Sequence, residues 1–378
     1  MQKAHQDDAT RRIVTIGRSL PHTYRPNGLT IPSATEQFIV DTFTKIGEDG
    51  IERAVDQPDQ LKFRMLIHLG RTAIIGSRMF LPPSQLGMII DYTPDTLPQN
   101  MRHALCEYGK EMWTFRKRKD GHPTARAVNR YNGQTRGFEY LTKPILLTPF
   151  SLLDTPFGKP LPSTIHLISY PAPRIEGVLD EVQALKQERG WNPIIIWEPE
   201  EESSEVIRKV AKDIDIIGPN HHEVLRLFSP TIPSSPTEAD LKAVYNQACK
   251  NLVLLQPKIG VVVRCGHLGC CYSPSSTLGL EPKLKWIPAY WNSHRKGWND
   301  GRVVDPTGAG NAFMGGLAAA LDSGKSLDEG VIWGSVAASF TIEQDGLSTL
   351  SQSNGKELWN GEGPWERVRI MKEDLGVI

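Results

Sequence analysis

The chain of 378 residues has no excess of charge of either sign, since 43 lysines and arginines balance 43 aspartates and glutamates. The composition therefore gives no sign of the basic face that binds nucleic acid or anionic membranes. Long apolar runs are also lacking, because charged residues interrupt even the most apolar region, 312–342. No segment reaches the roughly 18 apolar residues that span a bilayer. We expect neither nucleic acid nor a membrane as a partner.

Cysteine is scarce in this sequence. The five cysteines are Cys106, Cys249, Cys265, Cys270 and Cys271, and no two of them form a CxxC pair. An odd count without paired spacing favours a reduced, intracellular compartment. The polar start MQKAHQDDATRRIV lacks the apolar stretch of a secretory signal, which supports the prediction of a cytoplasmic protein. The adjacent Cys270 and Cys271 fit a redox or metal feature, although buried structural thiols are the commoner outcome.

The apolar residues that are present predict an α/β fold. They make up 39% of the chain, which is enough to bury a core. From residue 61 onward, short β-branched runs alternate with longer helical patterns, as in a parallel sheet with crossover helices. The predicted strands are 86–92, 164–169, 193–197, 214–217 and 260–264. The predicted helices are 175–188, 202–212, 238–251 and 312–323, the third with Thr237 as its N-cap.

The first 60 residues are weakly patterned, and we treat 1–60 as a segment separate from a domain over 61–378. A short apolar run at 13–16 is followed by a polar stretch rich in proline. Apolar residues then recur at helical spacing over 35–46, which predicts an amphipathic helix there.

Residues 113–141 differ from the rest of the chain because apolar and polar residues partly alternate. Two turn signals, Asp120-Gly121 and Asn132-Gly133, punctuate this run. Such turns predict hairpins, and hence a small antiparallel lid on one edge of the sheet. The alternative is a basic, solvated surface hairpin, because residues 116–119 form a run of positive charge.

The strongest motif is DPTGAGN at 305–311, which two valines precede and the small-residue sequence MGGLAAAL follows. The pattern predicts a strand end, a glycine-rich turn and the start of a helix. The unpaired backbone N–H groups and the helix dipole at such a start attract a phosphate or a developing anion. Gly308 and Gly310 would let the backbone approach a ligand closely. A tight turn chosen for packing explains the motif equally well on its own.

Two further polar segments follow predicted strands. Asn220 and Glu223 stand three residues apart at a helix start, where an amide oxygen and a carboxylate can hold Mg²⁺ directly or through water. A helix cap is the simpler local interpretation of this pair. The other segment is a GxxG turn from Gly266 to Gly269 at the carboxyl end of a strand, where nucleotides bind in open α/β sheets. An ordinary strand-to-hairpin turn is the alternative.

The order strand-NxxE, strand-GxxG, DPTGAGN-helix resembles the C-terminal half of the PfkB (ribokinase-like) carbohydrate and nucleoside kinases, and among them a fungal branch of uncharacterised PfkB-like proteins. The likeness covers about 164–350 and includes WGSVAASFTIEQDGL, which looks like the family's late helix beside the adenine pocket. It is weaker over 70–150 and absent over 1–60.

This resemblance implies a three-layer α/β/α sandwich with a mostly parallel central sheet and a small β-hairpin lid. It also implies a phosphotransferase that uses ATP and Mg²⁺ and acts on a small sugar or nucleoside. In this fold the lid can pair between subunits and so form a homodimer. A charged edge can equally block such pairing, so the oligomeric state is left open.

The family's functional residues carry over position by position. In that family the GAGD loop is an anion hole, NxxE organises Mg²⁺ and phosphate, and GxxG lies beside the nucleotide. The matching residues are Gly308, Ala309 and Gly310 for the anion hole, Asn220 and Glu223 for the metal motif, and Gly266 and Gly269 for the nucleotide turn. Only Gly70 remains of the glycine loop that carries the sugar, because Ile67 and His68 stand where the family has a glycine pair. The family's first strand has no convincing counterpart before that loop.

The position of the family's catalytic Asp is Asn311 in this chain. An amide can orient a hydroxyl group but cannot accept its proton at neutral pH, so Asp305 or a water would have to replace the base. One hypothesis is a kinase that transfers the γ-phosphoryl group of ATP to a sugar hydroxyl, impaired by this substitution. The alternative is a non-catalytic relative that binds a nucleotide or metabolite in regulation. A dinucleotide-dependent oxidoreductase fits poorly, because no GxGxxG follows an early strand.

Overall fold

The computed structural model describes residues 13–16, 42–46, 52–54, 69–125, 127–132, 135–142, 145–168, 174–200, 203–275 and 281–377. Its strands are β1 (Ile13–Ile16), β2 (Thr42–Ile46), β3 (Glu52–Ala54), β4 (Leu86–Tyr92), β5 (Trp113–Lys117), β6 (Ala127–Asn132), β7 (Thr135–Tyr140), β8 (Thr164–Ile168), β9 (Ile194–Glu198), β10 (Ile216–Ile217), β11 (Gly260–Arg264), β12 (Cys270–Pro274), β13 (Lys285–Ile287), β14 (Leu350–Ser353) and β15 (Lys356–Trp359). Its α-helices are α1 (Leu69–Arg78), α2 (Gln99–Cys106), α3 (Ile175–Arg189), α4 (Ser204–Val210), α5 (His221–Phe228), α6 (Glu238–Val253), α7 (Ala309–Asp322), α8 (Leu327–Thr341) and α9 (Pro364–Asp374).

The central sheet runs in the order β13-β12-β11-β10-β9-β8-β1-β4-β5. Neighbouring strands are parallel from β5 to β11, and β12 and β13 extend this sheet in antiparallel fashion. Successive residues of a strand point to opposite faces, so each continuous apolar run supplies two cores. Ile196 and Val262 pack with α1, α7 and α8 on one face, whereas Ile195 and Val261 pack with α3 and α6 on the other. The predicted three-layer α/β/α sandwich is confirmed.

Most of the predicted elements are present with shifted ends. The strand predicted over 214–217 is confined to β10, and the helix predicted over 202–212 is α4, which a short 3-10 turn continues. The hydroxyl of Thr237 accepts a hydrogen bond from Asp240 N–H, which confirms Thr237 as the N-cap of α6. The strand end predicted at 303–304 was wrong, because these residues lie in an exposed loop.

The segment before residue 61 takes a larger part in the fold than its patterning indicated. β1 lies between β4 and β8 and pairs with both in parallel, so the expectation that the first strand has no counterpart was wrong. Residues 42–46 of the predicted helix over 35–46 form β2 instead, where pairing with β3 and β6 decides the conformation. The rest of that predicted helix, Ile67 and His68 lie outside the described residues. The boundary at residue 61 stays a prediction.

The predicted hairpin block divides between two sheets. β6 and β7 form the hairpin predicted around Asn132 and belong to a separate sheet ordered β3-β2-β6-β7. That this sheet is the predicted lid stays a prediction. β5 was wrongly assigned to that lid, because it pairs in parallel with β4 at the edge of the central sheet. Alternation of apolar and polar residues is typical of an edge strand as well as of a hairpin, so it could not distinguish the two for β5. The basic run is not simply solvated either, since Arg118 is buried and pairs with Asp120 at 2.6 Å.

Helices α1 and α7 pack backbone against backbone through glycines. A Cβ added at Gly315 would stand 1.8 Å from the carbonyl oxygen of Ala73, and one added at Gly76 would stand 2.3 Å from that of Ala312. The hydroxyl of Ser77 donates to the carbonyl of Gly315 at 2.8 Å and closes the same contact. This close approach fixes the first turn of α7 relative to α1.

Gly315→Ala is expected to destabilise the protein, because neither helix backbone can retreat from the added methyl group. Overpacking of this kind typically costs about 1–3 kcal/mol in the free energy of unfolding. The control is Gly177→Ala in the exposed face of α3, where an added Cβ meets nothing within 4 Å. That change should stabilise the protein by about 0.5–1 kcal/mol through helix propensity. Urea unfolding of both variants checks the prediction, and equal effects would contradict it.

Candidate functional site

The glycine-rich loop ends in an open helix start. Gly308 is the N-cap of α7 with a left-handed φ of 84°, and no side chain caps the first turn. The N–H groups of Val304 and Asp305 donate to the carbonyl of Ile342 at the end of α8, at 2.7 and 3.2 Å. Asp305 Oδ1 accepts from Thr307 N–H at 2.9 Å. The loop is therefore tethered, and the carboxylate of Asp305 stabilises its turn.

Two buried polar side chains at this helix start lack hydrogen-bond partners within the described ranges. Asn311, the third residue of α7, is 7% exposed, and its Nδ2 has no acceptor. Thr72 of α1 is 1% exposed, and its Oγ1 is likewise unsatisfied. Thr72 stands against the N-cap, since a Cβ at Gly308 would lie 2.9 Å from Oγ1. Buried polar groups normally have hydrogen-bond partners. The lack of partners for these two side chains is typical of a site that receives a polar ligand.

The guanidinium of Arg264 reaches this helix start from the end of β11. The side chain is 6% exposed, and its Nη1 would lie 2.6 Å from a Cβ added at Gly310. Nη2 donates to the carbonyl of Gly218 at 2.8 Å and to Glu198 Oε2 at 2.5 Å. Arg264 thus places a positive charge directly beside the first turn of α7.

Glu198 and His166 form the buried layer beneath Arg264. Glu198 Oε1 lies 2.7 Å from His166 Nε2, and both side chains are excluded from solvent. Burial by itself would raise the pKa of the Glu198 carboxyl, but the charge of Arg264 and the hydrogen bond with His166 hold this pKa below its ordinary value. Glu198 is therefore a carboxylate at neutral pH and holds Arg264 in place.

Asn220 and Glu223 form a reciprocal capping box at the start of α5. Glu223 N–H donates to Asn220 Oδ1 at 3.0 Å, and Asn220 N–H donates to Glu223 Oε2 at 2.9 Å. Asn220 Nδ2 donates to the other carboxylate oxygen. The simpler interpretation, a helix cap, is confirmed. Burial, followed by repulsion from Glu200 and Glu198 and partly offset by Arg264, raises the pKa of Glu223 to about 7.

This arrangement does not fit direct ligation of Mg²⁺ by the pair. Each side-chain oxygen of the pair accepts a hydrogen bond from the other residue: Asn220 Oδ1 from Glu223 N–H, and the two carboxylate oxygens of Glu223 from Asn220. In the part of the chain that the structure describes, no group of three or more histidine, cysteine, aspartate or glutamate side chains is arranged to hold a metal ion.

Glu223→Gln is expected to flatten the dependence of stability on pH. The folded-state pKa lies above the ordinary value of 4.5, so folding favours the protonated carboxyl. This contribution to the free energy of unfolding is fully present below pH 4.5 and is lost as the pH rises through about 7. The shift in pKa corresponds to a contribution of about 3 kcal/mol at most. Urea unfolding between pH 4.5 and 7.5 measures it. The control is Asp240→Asn in the exposed capping box of α6, where the pKa of Asp240 is lowered. If Glu223→Gln keeps the full slope, Glu223 is not its source.

The three predicted segments meet at the carboxyl ends of the strands. Asn220 and Arg264 lie side by side as a parallel β-bridge, and Arg264 in turn contacts the start of α7 at Gly310. The GxxG turn has left-handed φ values of 59° at Gly266 and 91° at Gly269. A Cβ at Gly269 would stand 2.1 Å from the carbonyl of Ile287, so only glycine fits there.

The sequence-predicted residues Ala309 and Gly70 also have defined places. Ala309 opens α7, and its N–H donates to the carbonyl of Pro306 at 3.2 Å. Gly70 lies in the first turn of α1, on the helix that carries Thr72 to the site. The described residues therefore bring the GAGN, NxxE and GxxG segments together, with α1 packed against the start of α7.

Sequence reasoning missed Arg264, Glu198, His166 and Thr72. The charged residues at the ends of VVVR and IIIWE were a usable signal, because a charge in a buried strand needs a partner. Thr72 gave no such signal. The cysteines other than Cys106 are buried, which favours the structural interpretation of Cys270 and Cys271. No helix within the described ranges is long and apolar enough to cross a membrane.

Comparison with known proteins identifies the family. Residues 164–354 match the pfkB family of carbohydrate kinases. An uncharacterised protein of Schizosaccharomyces pombe is 32% identical over 324 residues, covering 81% of this chain and 86% of that protein. Protein MAK32 of Saccharomyces cerevisiae is 28% identical over 266 residues, covering 67% of this chain and 70% of that protein.

A solved structure supports the same assignment at the level of the fold. Ribokinase from Cryptococcus neoformans var. grubii serotype A, determined in complex with ADP, aligns with a TM-score of 0.59 and 17% identity, covering 96% of this chain and 99% of that one. The predicted ribokinase-like fold and the resemblance to uncharacterised fungal relatives are both confirmed. Because the family match spans half of the chain and the S. pombe relative is 32% identical, this chain belongs to the pfkB family of carbohydrate kinases.

Proposed function

We propose that this protein is an ATP-dependent phosphotransferase that transfers the γ-phosphoryl group to a hydroxyl of a sugar or nucleoside, at a rate lowered by Asn311. The observation that carries the proposal is the start of α7. It presents backbone N–H groups, the unsatisfied amide of Asn311 and the charge of Arg264 at one place. Donors and positive charge without a capping carboxylate favour an anion such as a phosphate.

In this proposal Ala309 N–H stays bonded to the carbonyl of Pro306, and the N–H groups of Gly308 and Gly310 stabilise the charge that develops on the phosphoryl group. Such preorganised donors act without reorganisation during the reaction and account for much of the acceleration in phosphoryl transfer. Gly266 and Gly269 shape the turn beside the nucleotide. ATP supplies the phosphoryl group. The hydrogen-bond donors at the start of α7 are the feature of this chain that suits the phosphates of ATP.

Asn311 occupies the place where a base would deprotonate the acceptor. Its amide can hold the hydroxyl in line with the phosphoryl group, but the proton must leave to water. Asp305 is a weak substitute, because its Oδ1 accepts from Thr307 N–H within the loop. Slow turnover with intact binding is therefore the expected behaviour. Direct ligation of Mg²⁺ by Asn220 and Glu223 enters no step here, since the pair is engaged as a helix cap.

A second candidate function is nucleotide or metabolite binding without turnover, in a regulatory protein. The observation that favours it is the same Asn311, since every donor for an anion is kept and the proton acceptor is absent. Under this alternative, phosphoryl transfer stays at the uncatalysed level for every acceptor. The cytoplasmic location and a homodimer joined through the lid stay predictions.

Equilibrium binding of ATP, followed by phosphoryl transfer to a panel of sugars and nucleosides, separates the two functions. The proposed kinase binds ATP and phosphorylates at least one acceptor above the buffer rate. Binding without any transfer supports the non-catalytic alternative. A chain that binds no ATP, with or without an acceptor present, would overturn both.

A further inference from the structure

The guanidinium of Arg264 lies among oxygen atoms arranged as they would be around a cation. Its Nη2 is 2.5 Å from Glu198 Oε2, 2.8 Å from the carbonyl oxygen of Gly218 and 3.9 Å from Glu223 Oε2. Glu200 adds negative charge to this corner of the fold, since its carboxylate repels that of Glu223. Carboxylates and carbonyl oxygens are also the ligands that hard divalent cations such as Mg²⁺ and Mn²⁺ prefer. The chain therefore supplies a positive charge of its own at a place that would suit a metal ion.

The contact with α7 does not explain why the guanidinium lies here. A helix N-terminus carries a partial positive charge, so a cation is disfavoured beside it. Nη1 nevertheless stands against the backbone of Gly310, where an added Cβ would lie 2.6 Å away. Glu198, which is itself 2.7 Å from His166 Nε2, holds the guanidinium in this position. Arg264 is therefore placed by the acidic residues and not by the helix.

The oxygens around the guanidinium are already engaged within the chain. Glu223 Oε2 accepts from Asn220 N–H, its other carboxylate oxygen accepts from Asn220 Nδ2, and Asn220 Oδ1 accepts from Glu223 N–H. Glu198 contacts Arg264 through Oε2 and His166 through Oε1. A cation bound here directly would break these bonds, and one bound through water would approach the guanidinium against its charge.

We propose that Arg264 takes the place of a divalent cation in this corner of the fold, so that the free chain binds neither Mg²⁺ nor Mn²⁺ at the NxxE segment. Asn220 and Glu223 are then a structural cap and not the metal motif that the family resemblance implied. The proposal goes beyond the proposed function, because it concerns the chain without nucleotide and does not depend on phosphoryl transfer. It applies to cations held by the protein, not to a cation held by the phosphates of a nucleotide.

Titration of the free chain with Mn²⁺ tests the proposal first. Mn²⁺ prefers the same oxygen ligands as Mg²⁺, and its paramagnetic resonance signal measures the ion that stays unbound. The natural chain and Glu223→Gln are expected to bind equal amounts of Mn²⁺, since neither holds an ion at the NxxE segment. An ion that the natural chain binds and Glu223→Gln does not would overturn the proposal.

Arg264→Met should open a cation site where the natural chain has none. It leaves the carboxylates of Glu198 and Glu223 facing the space of the lost guanidinium. An uncompensated buried charge is costly enough that we expect a gain of about 10- to 100-fold in Mn²⁺ affinity. The midpoint of thermal unfolding should then rise with Mn²⁺ concentration in this variant and not in the natural chain. Arg264→Lys keeps the positive charge and should exclude the ion as the natural chain does.

Arg78→Met is the matched control for the loss of a buried arginine. Arg78 is also buried and paired with a glutamate, but the side chain of Glu357 is 37% exposed and can be solvated by water. This variant should gain no Mn²⁺ site, and adding Glu198→Gln to Arg264→Met should cancel the gain. No gain in Arg264→Met, or a gain that the double variant or Arg78→Met shares, would overturn the proposal. If the methionine variant does not fold, Arg264→Gln, which keeps an N–H donor but no charge, takes its place in the same comparison.

A crystal structure of the Arg264 variant with Mn²⁺ locates the ion. An ion within about 2.0–2.6 Å of a Glu198 carboxylate oxygen, the range for hard cations, supports the proposal. An ion bound elsewhere, with this corner filled by water or by neighbouring side chains, would contradict it.

Discussion

Asn311→Asp is expected to raise kcat for phosphoryl transfer by about 10²–10⁴-fold, because a positioned general base contributes that much to proton abstraction. The substituted carboxyl would stand in the first turn of α7, where the helix dipole favours its ionised form. The measurement is steady-state kinetics with the best acceptor found for the natural chain. ATP affinity should change by only a few fold, since the N–H groups that hold the phosphate are unaffected.

Asn311→Ala is the control for this prediction. It removes the amide that would orient the hydroxyl and supplies no base, so its kcat should fall below that of the natural chain. If the natural chain already turns over at ordinary kinase rates of about 1–100 s⁻¹ and Asn311→Ala leaves them unchanged, residue 311 is not the catalytic position. If Asn311→Asp binds ATP but gains no activity, the missing base does not limit the rate.

Glu198→Ala is expected to lower the free energy of unfolding by about 3–5 kcal/mol, because it leaves the buried charge of Arg264 without its nearest carboxylate. Glu198 is 3% exposed and lies 2.5 Å from Arg264 Nη2, so water cannot replace the lost carboxylate at little cost. Urea unfolding at neutral pH measures the change. The loss should extend to mildly acidic pH, since the pKa of Glu198 is held below its ordinary value.

The double variant Glu198→Ala with Arg264→Met tests the cause of that loss. Replacing both members of a buried ion pair by apolar groups is often close to neutral, so the second change should recover most of the stability. Additive losses in the two variants would show instead that each side chain contributes through packing. A loss below about 1 kcal/mol for Glu198→Ala would mean that the pair is accessible to solvent.

The motifs of the candidate site could be found in the sequence, whereas most of the contacts that hold them together could not. GAGN, NxxE and GxxG are local motifs whose spacing follows from one turn or one helix start. Because parallel strands end at one edge of a sheet, the approach of the NxxE and GxxG segments could be inferred from the predicted strands, but the position of the GAGN loop could not, since no strand precedes it. Arg264, Glu198 and Thr72 could not be placed in this way. Their proximity to α7 depends on which strands are neighbours in the sheet and on how closely α1 approaches α7. Neither can be predicted from a local sequence pattern.

The same division holds for the fold. Continuous apolar runs determined β4, β8, β9 and β11 from the sequence alone, because a strand buried on both faces must be apolar throughout. Only the tertiary structure decided that β1 enters the centre of the sheet, that β5 is a parallel edge strand rather than a lid hairpin, and that 42–46 is a strand. These segments are short or ambiguous in period, so partners distant in the chain fix their conformation.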